Sequence, residues 1–204
     1  MSGSSQSMIE CKNISLSFSD KTIFDHLTLS VAENEHACLS GVSGKGKTTF
    51  LKLLQGYISA DDGEIYINNT SLQPSTIKDI RDTIVWIPQN VNLPVNNGAG
   101  LIKLLHIQSK KDTIESYSQK LGLEPDILNK DFDIISGGQK QRIIISICLS
   151  LDKPIILMDE PTSSLDDKSI QSLISLIQSL SAKTILSASH NRQWVQSVDK
   201  EITL

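Results

Sequence analysis

The sequence predicts an α/β fold: a mostly parallel sheet with helices, preceded by an antiparallel β region and interrupted by a helical insert. Three observations predict it. Residues 35–40 read as a short buried strand entering the glycine-rich stretch Gly41-Val42-Ser43-Gly44-Lys45-Gly46-Lys47-Thr48-Thr49, after which Phe50, Leu51, Leu53 and Leu54 mark one face of a helix. Residues 154–158 (PIILM) form a continuous apolar run, the pattern of a strand buried on both faces. Residues 91–133 instead repeat Leu101, Leu104, Leu105, Ile114, Tyr117 and Leu121 at helical spacing, with a Gly-Leu-Glu-Pro break at 122–125.

Taken in order, residues 8–18 alternate polar and apolar with β-branched enrichment, and a turn at Ser19-Asp20-Lys21 leads to a second run at 27–31. This is the antiparallel region. After the loop and its helix, residues 63–67 form a short strand behind Asp61-Asp62. Residues 83–87 read as a central strand, buried on both faces and ending at Pro88-Gln89. Beyond the insert, Ile135-Ser136-Gly137-Gly138-Gln139-Lys140-Gln141-Arg142 opens a helix continued by Ile143, Ile144, Ile147 and Leu151. Ser136 is placed to cap it. The run 154–158 ends at the paired carboxylates Asp159 and Glu160, whose side chains leave a strand end in opposite directions. A helix follows over 168–180, then a strand over 184–188 ending at Ser189-His190, a helix near Trp194 and a terminal strand over 201–204.

The loop fits the phosphate-binding pattern G-x-x-x-x-G-K-[ST]. Its glycines let the backbone take positive φ and turn N–H groups toward an anion, and the following helix adds its positive end. Lys47 is placed to reach β/γ-phosphates and Thr48 to give its hydroxyl to Mg²⁺. Two glycines behind Ser136 create a second helix start of the same kind.

Composition narrows the class. The chain has 204 residues, enough for one large α/β domain, and 39% hydrophobic content. No apolar run reaches membrane-spanning length. A net charge of −4 argues against a broad nucleic-acid surface. Cys11, Cys38 and Cys148 are odd in number and far apart, which fits free thiols in a reducing compartment better than disulfides or zinc ligands. Residues 1–7 are Ser-rich and read as a flexible tail.

With these motifs in this order, the chain from residue 8 to 204 resembles the nucleotide-binding domain of the ATP-binding cassette (ABC) ATPases. GVSGKGKTT resembles Walker A, ISGGQKQR the family signature with Ile135 for the usual Leu, and IILMDEPTSSLD Walker B running into the D-loop. The resemblance implies a P-loop NTPase core over 8–90 and 135–204, with 91–134 as the helical subdomain. It implies ATP and Mg²⁺ as ligands: Phe18 stacking on adenine, residues of the loop (Gly41, Ser43, Gly44, Lys45, Gly46, Lys47, Thr48 and Thr49) on the phosphates, and Thr48, Gln89 and Asp159 toward the metal. Glu160 is implied as general base, with His190 at the γ-phosphate and Gln89 as sensor. Ser136, Gly137, Gly138, Gln139 and Asp166 would serve the nucleotide of a second protomer in a head-to-tail homodimer. Lys45 and Asn34 depart from the family pattern, the first adding a cation to the loop and the second standing where a turn glycine is usual.

The expected function is the ATP-hydrolysing subunit of an ABC transporter, working on the cytoplasmic face of the cell membrane with a separate transmembrane permease. A soluble family member of the iron-sulfur assembly or cell-division type is the alternative. No nucleic acid is expected as partner, and His26, His36 and His106 are expected to be structural or surface residues.

Overall fold

The computed structural model describes residues 6–19, 21–90, 93–180 and 182–204. Most of the expected tail, Asp20 of the expected first turn, and Val91 and Asn92 at the start of the insert lie outside the described residues. Two sheets organise the chain. The first is antiparallel, in the order β2-β1-β4-β5, built from β1 (Ser7–Phe18), β2 (Lys21–Ala32), β4 (Asp62–Ile67) and the short β5 (Thr70–Ser71). The second is parallel, in the order β6-β7-β8-β3-β9, built from β3 (His36–Ser40), β6 (Ile84–Ile87), β7 (Ile155–Asp159), β8 (Thr184–Ala188) and β9 (Lys200–Thr203). The β3, β7 and β8 strands are buried at every residue, the expected condition of a parallel sheet covered on both faces.

The helices are α1 (Lys47–Leu54), α2 (Ile77–Thr83), α3 (Gly98–Leu104), α4 (Lys111–Lys120), α5 (Gly137–Ser150), α6 (Asp167–Gln178) and α7 (Arg192–Val195). Phe50, Leu51, Leu53 and Leu54 of α1 are wholly buried between the two sheets, in a core shared with Ile9, Leu39 and Leu157. A second core joins the other face of the parallel sheet to α6 and Trp194. A third lies among α3, α4 and the residues around Ile127, closed by Ile143 and Ile147 of α5. The apolar stripe that begins α5's periodicity therefore belongs to both the insert and the core.

Three expectations are corrected. The second strand begins at Lys21, not Leu27, because a positive φ at His26 and register shifts against β1 break its alternation midway. The strand expected over 83–87 is not central: among the described residues β6 is hydrogen-bonded only to β7 and lies at the sheet's edge, while Ile84, Val85 and Ile87 are buried by the layers above and below. Full burial of faces and full occupancy of edges are separate conditions, and the apolar run reports only the first. Finally, Thr83 ends α2, a helix whose single buried residue, Ile80, gives little periodicity to detect.

Candidate active site

β3 delivers the chain into the glycine loop at the carboxyl edge of the parallel sheet. Gly41 takes φ 135°, where a Cβ would stand 2.8 Å from the carbonyl oxygen of Leu204. Gly46, at φ 91°, would place its Cβ 2.6 Å from Ile23. Both positions combine a left-handed backbone with close neighbours, so only glycine fits. Gly46 starts α1 without a side-chain cap, leaving the first N–H groups of that helix to point into the loop. Lys47 is buried, and its Nζ donates to the carbonyl oxygens of Gly41 at 2.8 Å and Val42 at 3.4 Å.

The loop forms the floor of an open cleft of about 1110 Å³. It is lined by Phe18 and Ile23, by Ser43, Gly44, Thr48 and Thr49 of the loop, and by Gln89, Glu160 and His190. Phe18 is 47% exposed, unlike the buried Phe24 and Phe50. Lys45 is exposed and does not line the cleft, so the extra cation of the loop faces outward.

At the end of β7 the two acids separate. Asp159 accepts a hydrogen bond from the Thr48 hydroxyl at 3.0 Å. Burial raises its pKa, with the Thr48 bond opposing and the Glu160 charge adding to the rise. Glu160 turns out of the strand at φ 45° and donates its N–H to Ala188 at 2.8 Å. One carboxylate oxygen, Oε1, is 2.9 Å from Nδ1 of His190, whereas Oε2 is buried with no protein partner. The His190 side chain is 72% exposed and reaches Glu160 from the loop after β8.

Thr48, Asp159 and Gln89 offer a hydroxyl, a carboxylate and an amide oxygen. Such hard donors fit Mg²⁺, which takes few protein ligands and completes its shell with phosphate oxygens and water. No group of three or more His, Cys, Asp or Glu residues arranged for a metal occurs among the described residues. The cysteines are free, and burial pushes Cys11 and Cys148 up to about 12, so neither supplies a thiolate.

The second glycine pair lies elsewhere. Ser136 caps α5 by accepting from the Gln139 N–H at 3.1 Å, and Gln139 returns its side-chain oxygen to the Ser136 N–H at 2.9 Å. This reciprocal box satisfies both donors locally. A Cβ on Gly137 would meet nothing, but one on Gly138 would come within 2.5 Å of the Ser164 carbonyl oxygen. Asp166 caps α6 by accepting from the Ser169 N–H at 2.8 Å, which holds its carboxyl below the usual range. None of Ser136, Gly137, Gly138, Gln139 and Asp166 lines the cleft. Sequence reasoning passed over Ile23, Arg192 and Gln196, which do line it. Ile23 lies in the half of β2 hidden by the bulge, while Arg192 and Gln196 follow His190 at i, i+4 spacing that was there to be read.

A parallel sheet whose first strand enters a phosphate-binding loop, with paired acids at the end of β7, one strand removed across β8, defines a P-loop NTPase core. The family model described as "ABC transporter" matches residues 24–163, and the chain belongs to that family. It is 32% identical over 212 residues to the energy-coupling factor transporter ATP-binding protein EcfA1 of Mycoplasmoides gallisepticum, covering 97% of this chain and 75% of the relative. Among solved structures it is similar to a dimeric bacterial ABC transporter cassette, with TM-score 0.85, 25% identity and coverage of 97% and 94% of the two chains. A post-hydrolysis dimer of that cassette bound to ADP and Pi gives TM-score 0.84 with the same identity and coverage.

Proposed function

We propose that this chain is the ATP-binding and ATP-hydrolysing subunit of an ABC transporter, and that it powers a separate membrane permease by ATP-driven, head-to-tail dimerisation. The observation that carries the reading is convergence on one cleft: Lys47, Thr48, Asp159, Glu160 and His190 come from distant parts of the chain and meet around the same loop. The division into a core over 8–90 and 135–204 and a helical subdomain over 91–134 belongs to this reading.

The residues have separable tasks. The loop N–H groups and the start of α1 hold phosphate oxygens, and Lys47 exchanges its backbone carbonyls for them, a charge-assisted replacement. Thr48, Asp159 and Gln89 would hold Mg²⁺, which supplies charge neutralisation on the β- and γ-phosphates when bound. Glu160 lines the cleft beside the loop, where its carboxylate would orient and deprotonate a water. His190 holds Oε1 and, lining the same cleft, would meet the γ-phosphate. Phe18 offers a flat face to the base. Ser136, Gly137 and Gly138, displaced from this cleft, complete the partner's site, and Asp166 lies at that same interface.

The chain would act at the cytoplasmic face of the cell membrane. The supporting relatives are transporter ATP-binding subunits, and no helix among the described residues is long and apolar enough to cross a membrane. Two measurements test the proposal. Purified protein with Mg²⁺ and ATP should release phosphate continuously, and no turnover would sink the enzymatic part. Affinity capture from detergent-solubilised cells should bring down a protein with several apolar spans. A soluble partner in its place would transfer the chain to the non-transport branch.

A further inference from the structure

Glu160 occupies a costly conformation. Its φ of 45° is left-handed, and the residue that follows is Pro161, which favours extended backbone in the residue before it. Such strain persists only where the surroundings over-determine it. Its N–H is fixed by Ala188. Its carbonyl accepts from the Ser163 N–H at 3.1 Å and from the side-chain amide Nε2 of Gln141 at 3.4 Å.

Gln141 is out of place by ordinary packing rules. It is 9% exposed, on the inner side of α5, and its Oε1 is buried with no partner. An orphaned buried acceptor destabilises the fold, and a Leu or Met there would avoid that cost. Among the described residues, its side chain's one hydrogen bond is to the carbonyl of Glu160. The next residue, Arg142, faces another way: its guanidinium donates to the Leu121 carbonyl at 2.8 Å, at the end of α4. Adjacent residues of α5 thus grip the insert with one side chain and the Glu160 backbone with the other. The absence of a side chain on Gly138 lets the first turn of α5 lie close against the same turn after β7, at Ser164.

We propose that Gln141 is a positioning residue for Glu160, holding the strained peptide from which the carboxylate projects and making its placement depend on α5. The inference rests on the reading of Glu160 as the group that activates water. It implies that displacement of the insert relative to the core moves the catalytic carboxylate, through a contact within one protomer.

Gln141→Met tests it, because Met keeps the length of the side chain and removes both amide atoms. With purified full chain and Mg-ATP, kcat should fall about tenfold while KM for ATP stays within about twofold. The unfolding temperature should hold or rise, since the orphaned Oε1 is gone. In a Glu160→Gln background, Gln141→Met should lower the residual turnover no further. Unchanged kcat overturns the proposal, as does a fall in kcat accompanied by a fall in unfolding temperature, or an undiminished effect in the Glu160→Gln background. Absence of turnover in the unmodified chain overturns the proposed function itself.

Discussion

Helices α1 and α5 both begin at glycines, yet their first turns are satisfied in different ways. The α1 start has no side-chain cap and opens onto a cleft lined by Lys47, Thr48 and Glu160 of the same chain, with Asp159 bonded to Thr48. The α5 start is closed by the reciprocal Ser136 and Gln139 bonds and lies outside that cleft. Similar sequence chemistry therefore yields one site that the chain builds for itself and one surface where a capping box satisfies two N–H groups, those of Ser136 and Gln139. The first stays strained and open. The second is stable as it stands, so whatever it does in catalysis must come from what approaches it.

The comparison breaks most sharply at Glu160. Glu160→Gln keeps the shape but loses the base, so phosphate release should fall by about 10² to 10⁴ while ATP binding persists. Full turnover in that variant would move the base elsewhere, with His190 next in line.

A paired experiment then separates the two helix starts. Lys47→Ala should weaken ATP binding about 10- to 100-fold, the worth of a charged hydrogen-bond partner. Gly137→Asp should leave single-chain ATP affinity within about twofold yet abolish ATP-dependent association in light scattering. Gly137 is the informative position because a side chain there meets nothing of its own chain, whereas one on Gly138 collides with Ser164. Normal association of the Gly137→Asp chain would defeat the head-to-tail arrangement.

Acid should act on the face of the parallel sheet opposite α1, where the His36 ring packs edge-on against Trp194. His36 opens β3, and burial pushes its pKa down to about 4 against the opposing Asp199 charge. The folded value lies below the ordinary value of about 6.5, so the unfolded chain binds the proton first. The stability is complete above about pH 6.5 and is lost as pH falls through about 4. Denaturant titration should show a loss of about 2 kcal/mol between about pH 7 and about pH 5, and His36→Phe should flatten it. An unaltered slope in that variant would assign the acid sensitivity to other groups. The smallest effect is at Phe18: Phe18→Ala should cost about 1 kcal/mol in ATP affinity and nothing in affinity for inorganic triphosphate. Equal losses for both ligands would make Phe18 a packing residue.

The α1 side was legible because its signals are local. A glycine loop between a buried strand and an amphipathic helix, and an acid pair ending an apolar run, are readable without knowing what neighbours what. The strand order was not. The apolar run of β6 records coverage of its two faces and is silent on its open edge, and the bulge at His26 erased half of β2 from the alternation. Gln141 was equally hidden. Within the run GGQKQR it reads as one more polar residue of a helix start, and only the crossing of α5 over the turn after β7 turns its amide inward.

The register of β3 sets an order of events. It pairs with β8, where Leu39 lies opposite Ala188, and with β9, where Ser40 lies opposite Thr203. Both neighbours come from the last stretch of the chain, roughly 150 residues later. At ribosomal speeds of roughly 5–20 residues per second, β3 waits on the order of 7–30 s for a parallel neighbour. The β1–β2 hairpin and the contacts among α3, α4 and Ile127 are local and can form meanwhile. The phosphate loop, hung from β3 and held at Gly41 by Leu204, then takes shape after the hairpin and the helical contacts. A nascent chain stalled with residues up to about 180 outside the ribosome should already protect the hairpin from proteolysis while binding no ATP.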